Sequence, residues 1–174
     1  MDRNDKYKAL PPGIVIRPTT TEDADAICAV IAGVANERQY IALQGPPNRE
    51  RFQRFVADGI VANNAQYVAL EQVEVVGWCD ITRMQRDVFA HRAVVGMGVA
   101  ARWRGRGIGR ALLTTAIREA RSRGISRVEL EVRADNSAAI ALYASTGFQT
   151  EGDMPDALRA AGTSVTLKRM ALLF

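Results

Sequence analysis

The chain has 174 residues, of which 48% are hydrophobic and 24% charged, with a formal charge of +4. That length suits a single domain over 1–174 with a buried core, and the composition excludes disorder over most of the chain. The mild basic excess is compatible with an anionic ligand such as a nucleotide and leaves nucleic acid open.

The N-terminal residues 1–8 are polar and charged, so no secretory signal is expected. Residues Ile14-Val15-Ile16-Arg17 are β-branched and precede Pro18, which predicts a first strand. Thr19-Thr20-Thr21-Glu22-Asp23 can cap a helix start, and Ala26, Ile27, Val30, Ile31 and Val34 recur at helical spacing, predicting a helix over 22–35. Cys28 is expected to pack in that helix. Gly45-Pro46-Pro47-Asn48 is a break, and Phe52, Phe55, Val56, Ile60 and Val61 form a second helical stripe closed by Asn63-Asn64.

Two strands are predicted over 66–71 and 75–82, joined by a turn near Gln72-Val73-Glu74. A third, over about 91–99, follows the polar connection Met84-Gln85-Arg86-Asp87. The pattern then turns helical after Gly107 and ends at Gly124. A strand over 128–132 follows, then a helix capped by Asp135-Asn136-Ser137 and ended by Gly147. A strand from Phe148 and a last one over 164–172 complete a mixed α/β domain without repeats or linkers. No run reaches the roughly 18 apolar residues of a membrane span. Cys28, Cys79 and the single His91 are too few and too scattered for a zinc site, so no metal is expected, and thiols of this kind fit a cytoplasmic protein.

The most informative segment is Arg104-Gly105-Arg106-Gly107-Ile108-Gly109, placed after the apolar strand Val94-Val95-Gly96-Met97-Gly98-Val99 and opening a helix. Glycines let backbone N–H groups approach a ligand closely. The first N–H groups of a helix lack internal acceptors, and the helix dipole adds partial positive charge, so a pyrophosphate fits there. Arg102, Arg104, Arg106 and Arg110 add formal charge. The spacing is neither the dinucleotide fingerprint nor the P-loop, which requires G-K-[ST]. By itself the pattern also fits a plain helix start, a solvated basic face or a nucleic-acid patch.

This segment, R-x-x-G-x-G after an apolar strand, resembles the central motif of the Gcn5-related N-acetyltransferase superfamily. The likeness continues through Leu130-Glu131-Val132-Arg133-Ala134-Asp135-Asn136-Ser137 to Tyr143 and Thr146-Gly147-Phe148, a block similar to bacterial enzymes that acetylate ribosomal-protein N-termini. The tail Phe148-Gln149-Thr150-Glu151-Gly152, with Gly162 and Met170, resembles members that act on free amino acids. The resemblance thus places a cofactor motif over 94–110 and a second motif over 128–148.

The resemblance implies a mostly antiparallel sheet of about seven strands with about four helices, splayed between the fourth and fifth strands. It implies that acetyl-CoA lies in that splay. Met97, Gly98 and Val99 would offer backbone groups to the pantetheine and thioester. Arg104, Gly105, Arg106, Gly107, Ile108, Gly109 and Arg110 would hold the pyrophosphate. Asn136 would contact the cofactor arm, and Tyr143 would sit near the sulfur as the acid.

The implied reaction is direct attack of a primary amine on the thioester through a tetrahedral intermediate. The amine belongs to a small molecule, an amino acid or a peptide N-terminus. With amine pKa values of about 7.7–8.0 for an α-amine and about 10.4 for lysine, a proton must be removed first. Glu131, twelve residues before Tyr143, is the first candidate base, though with Glu129 on the same face it also reads as the exposed side of a strand. His91 is the second candidate, because imidazole titrates near neutral pH. Family members often carry a glutamate on the strand leading to Val99; here Ala93-Val94-Val95 contains no acid, so an inactive acyl-CoA sensor is the competing reading. The segments 35–54 and 151–166 are expected to set the acceptor, with Glu37, Glu50, Glu151 and Asp153 as candidate partners for a cationic amine. A homodimer is the assembly the resemblance implies, and neither nucleic acid nor a membrane is an expected partner.

Overall fold

A computed structural model describes residues 9–37, 47–160 and 162–174. Part of the predicted break at Gly45-Pro46 lies outside the described residues. Seven strands and four α-helices follow the predicted order: β1 (Ile14–Pro18), α1 (Ala24–Asn36), α2 (Arg49–Val61), β2 (Ala65–Glu71), β3 (Glu74–Arg83), β4 (Arg92–Val99), α3 (Ile108–Ser122), β5 (Arg127–Arg133), α4 (Ser137–Ser145), β6 (Gln149–Ala160) and β7 (Thr163–Leu173).

Local chemistry sets the boundaries. Asp23 accepts from the Thr20 backbone N–H at 2.8 Å and pairs with Arg17 at 2.7 Å and 2.8 Å, which ties the end of β1 to the start of α1. The residues read as the first helical turn form a 3-10 turn, Thr21–Asp23, before α1. Asn48 caps α2 by accepting from Arg51 N–H at 2.9 Å. Asn136 caps α4 in the same way, accepting from Ala139 N–H at 3.1 Å. The polar connection before β4 contains a short 3-10 turn, Asp87–Phe89, that carries no hydrophobic period in the sequence.

The strands form one sheet in the order β1-β2-β3-β4-β5-β7-β6. All neighbours are antiparallel except β4 and β5. Alternation along the strands assigns the two faces. One face, with Cys79, Ile81, Val95, Val99, Val128, Leu130 and Val132, packs on α3 residues Ile108, Leu112, Leu113 and Ala116. The other, with Val68, Leu70 and Trp78, packs on Ile27, Ile31 and Val34 of α1. No helix among the described residues is long and apolar enough to cross a membrane.

The sheet is not continuous at its centre. Strands β4 and β5 pair only through Arg92↔Arg127, Ala93↔Val128 and Val94↔Glu129. Beyond Val94, β4 continues beside β3 to Val99 while β5 continues beside β7 to Arg133. The two central strands therefore diverge into a V, as the resemblance implied. Its closed end is fastened by ions: Glu129 is buried between Arg92, at 2.8 Å, and Arg127, at 3.1 Å. Arg127 also reaches Glu151 of β6 at 2.8 Å.

Candidate active site

The turn from β4 into α3 stands over the open end of the V. Gly105 and Gly107 adopt left-handed backbones, with φ of 70° and 87°. Gly107 is the N-cap of α3, and its carbonyl accepts the first intrahelical bond, from Ala111 N–H at 3.0 Å. The N–H groups of Ile108, Gly109 and Arg110 precede that bond and belong to the helix's first turn, which has no internal acceptors for them. A Cβ at Gly105 would meet nothing within 4 Å. This is an open cradle with a positive dipole end, and a pyrophosphate fits it.

The arginines divide their duties. Arg104 donates to the Val99 carbonyl at 2.9 Å and grips both carboxylate oxygens of Glu37 at 2.7 Å. Its guanidinium thus clamps the end of α1 to the end of β4, and Glu37, read as a candidate amine partner, is engaged there. Arg102 pairs with Glu74. Arg110 donates to the Ser145 hydroxyl at 2.6 Å, joining α3 to α4. Arg106 lies over the Trp103 ring at 5.0 Å, on the exposed side of the turn.

Met97, Gly98 and Val99 form the β4 arm of the V. A Cβ at Gly109 would touch Leu142, Met97 and Val99 at 3.5–3.6 Å, so α4, α3 and β4 converge here. Tyr143 of α4 packs against this convergence, with its ring 5.7 Å from that of Phe148. Burial, then the neighbouring Cys79, push its hydroxyl above its ordinary range, so it is an O–H donor at neutral pH. Asn136 spends its side-chain oxygen on the α4 cap.

Glu131 lies on the β5 arm, on the sheet face opposite α3, and pairs with Arg169 at 2.9 Å with 44% of its side chain exposed. His91 is exposed, just before β4 at the closed end of the V. Its carbonyl accepts from Ser126 N–H at 2.9 Å. Six residues of strand separate it from Met97, about 20 Å at roughly 3.3 Å per residue, so His91 is not brought to the site. Among the acceptor-segment acids, Glu151 pairs with Arg127, Asp153 pairs with Lys168, and Glu50 lies in the first turn of α2. Residues 38–46 and 161 of those segments lie outside the described residues.

One further acid stands near the site and carries no motif in the sequence. Asp80 sits within β3 beside the apolar run Val75–Cys79, paired in register with Gln66 of β2 and Gly96 of β4. A Cβ on Gly96 would lie 3.1 Å from its carboxylate oxygen. Asp80 accepts from the Thr82 hydroxyl at 3.3 Å. Burial pushes its carboxyl up to about 7, against smaller opposing contributions from Thr82 and Trp78. The available signal was an aspartate, a poor strand former, in the middle of a hydrophobic strand.

The family model described as the acetyltransferase (GNAT) family matches residues 34–148. The L-amino acid N-acetyltransferase AaaT of Escherichia coli is 36% identical over 143 residues, covering 80% of this chain and 85% of that protein. The crystal structure of a ribosomal-protein-alanine N-acetyltransferase from Brucella melitensis superposes with a TM-score of 0.86 at 27% identity, covering 92% of this chain and 99% of that one. A GNAT superfamily phosphinothricin acetyltransferase from Sinorhizobium meliloti, solved in complex with acetyl-CoA, shares the fold with a TM-score of 0.87 at 18% identity, covering 93% and 89%. The chain belongs to the GNAT family and is an N-acetyltransferase.

Proposed function

We propose that the protein transfers an acetyl group from acetyl-CoA to a primary amine by direct attack through a tetrahedral intermediate. A free amino acid is the preferred acceptor class, in keeping with the activity named for the E. coli relative, with a peptide N-terminus next. The observation that carries this reading is the divergence of β4 and β5 beneath the N-terminus of α3. It opens a slot between two strand edges with an anion cradle at its rim.

In this reading, backbone groups of Met97, Gly98 and Val99 line one wall and hydrogen-bond the acyl donor as a strand edge would. The glycine turn and the first N–H groups of α3 hold the pyrophosphate, with Arg106 and Arg110 adding charge. The Arg104 guanidinium supports the turn from behind by fixing Val99 and Glu37. Asn136 orients α4 toward the donor arm. A β4 backbone N–H stabilises the oxyanion. The Tyr143 hydroxyl donates to the departing sulfur. Glu131, on the β5 arm, receives the proton released by the tetrahedral nitrogen through water. The free thiols Cys28 and Cys79 accord with action in the cytoplasm.

The test is thiol release from acetyl-CoA over amino acids, peptides with free N-termini, polyamines and aminoglycosides. Turnover with at least one amine is expected. Tyr143→Phe is expected to lower kcat by roughly 10- to 100-fold while acetyl-CoA affinity holds. Tight acetyl-CoA binding with no turnover of any amine would instead identify a non-catalytic acyl-CoA sensor.

A further inference from the structure

On the sheet face opposite α3, one row of residues crosses three strands: Gln66 of β2, Asp80 of β3 and Gly96 of β4. Extending the Val94↔Glu129 register by two residues puts Glu131 of β5 in the same row, on the far side of the V. Here β4 carries Gly96, and the space above Gly96 is taken by the Asp80 carboxylate reaching over from the neighbouring strand.

Asp80 borders a small, open pocket between the sheet and the α1–α2 layer, with Thr19, Ile27, Phe52, Phe55 and Gln66 among its walls. Asp80 is the only charged group among the described lining residues. Tyr67 and Cys79 also border the pocket, and burial pushes both upward, so they are neutral at pH 7. Ile27 of α1 and Phe52, Phe55 and Val56 of α2 contribute no titratable group. Gln66 is only 6% exposed, and its side-chain carbonyl oxygen is buried with no hydrogen-bond donor among the described residues. A buried acceptor without a donor is costly unless a ligand supplies one.

We propose that Asp80 and Gln66 form the docking site of the acceptor's amine, with Asp80 taking the proton that makes the nitrogen nucleophilic. The proposal rests on the acetyl-transfer reading above. An ammonium group supplies a donor to the Gln66 oxygen and another to the Asp80 carboxylate. It gives one proton to Asp80, and the neutral nitrogen attacks the thioester carbon. The C–N bond forms, the C–S bond breaks, and the second N–H proton leaves through water toward Glu131. The thiolate departs hydrogen-bonded to Tyr143. Asp80 and Glu131 return their protons to solvent, from which the thiolate takes one, for a net release of one proton per ammonium acetylated. A carboxyl that titrates near neutrality is matched to this task.

The experiment compares wild type with Asp80→Asn, Gln66→Leu and Glu131→Gln over pH 5.5–9.5, using the best amine from the panel above. Asp80→Asn is expected to lower kcat/KM for the amine by about 100-fold or more and to remove the acidic limb near pH 7, while the acetyl-CoA Kd holds. Gln66→Leu is expected to raise the amine KM several-fold with little change in kcat. Glu131→Gln is expected to keep the limb. The Asp80 assignment is overturned if Asp80→Asn retains kcat/KM within about threefold, or if Glu131→Gln removes the limb instead. Acetyl-CoA binding by wild type without acetylation of any amine would sink the acetyl-transfer reading itself, and the Asp80 assignment with it.

Discussion

Gly98 shows how one missing side chain organises the acceptor side. A Cβ there would lie 2.5 Å from the Trp78 ring, which crosses β4 at that point and packs on α1. The indole is rigid and buried, so it cannot swing away cheaply. Gly98→Ala is expected to destabilise the fold by about 1–3 kcal/mol, read as a fall in Tm of roughly 2–4 °C per kcal/mol. Asp80 makes the complementary case, a side chain kept where it costs stability. Its folded-state carboxyl titrates above the ordinary range, so the folded protein holds that proton more tightly than the unfolded chain does. The Asp80 contribution to stability therefore falls as pH rises from about 4 toward 7. Asp80→Asn removes that dependence, so its Tm relative to wild type is expected to rise between pH 5 and 8. A flat difference would mean that the carboxyl is not held protonated.

The central elements depend on a few ion pairs more than on strand pairing. Only three residue pairs join β4 to β5, and Glu129 sits among them between two arginines. Arg92, then burial acting in opposition, then Arg127 set its titration, and the net direction is downward. A carboxylate depressed in the folded state stabilises above its unfolded pKa, and that contribution is lost as pH falls below about 4. Glu129→Gln is expected to lower Tm at pH 7 by several degrees and to blunt the acid-side fall of Tm in urea-free scans. The order and type of these elements were legible because each carries its period and its cap, as Asn48 and Asn136 do. The tight strand-to-helix turn was legible for the same reason, since left-handed φ at Gly105 and Gly107 demands the residue that stands there. What was not legible came from strand pairing. Arg104 faces Glu37 across 67 residues, and Asp80 gains its meaning only beside Gly96 and Gln66. Pro155 lies within β6, where a run of this length reads poorly as strand. The sheet accommodates it in an irregular stretch between Met154 and Leu158, with Asp156 at a φ of 51°.

Across the whole molecule, the strand order makes two assemblies that share a narrow seam. Strands β1 to β4 form one continuous antiparallel run, and β5, β7 and β6 form another. At the open end of the V, the inner edges of β4 over 96–99 and of β5 over 131–133 face away from their paired neighbours. A donor lodged between them would bridge both assemblies and cap amides that are otherwise left to water. Binding only to the folded state stabilises by mass action, about 2.7 kcal/mol at a concentration 100-fold above Kd. Acetyl-CoA at that level is thus expected to raise Tm by roughly 5–10 °C. Hydrogen exchange should locate the gain, with added protection at residues 96–99, 108–110 and 131–133 and none at β1. The β1–β2 pairing lies on the far edge of the first assembly, so it serves as the internal control. Protection spread evenly over the sheet would indicate global stabilisation without a ligand in the seam, and protection confined to 104–110 would indicate that only the pyrophosphate is held.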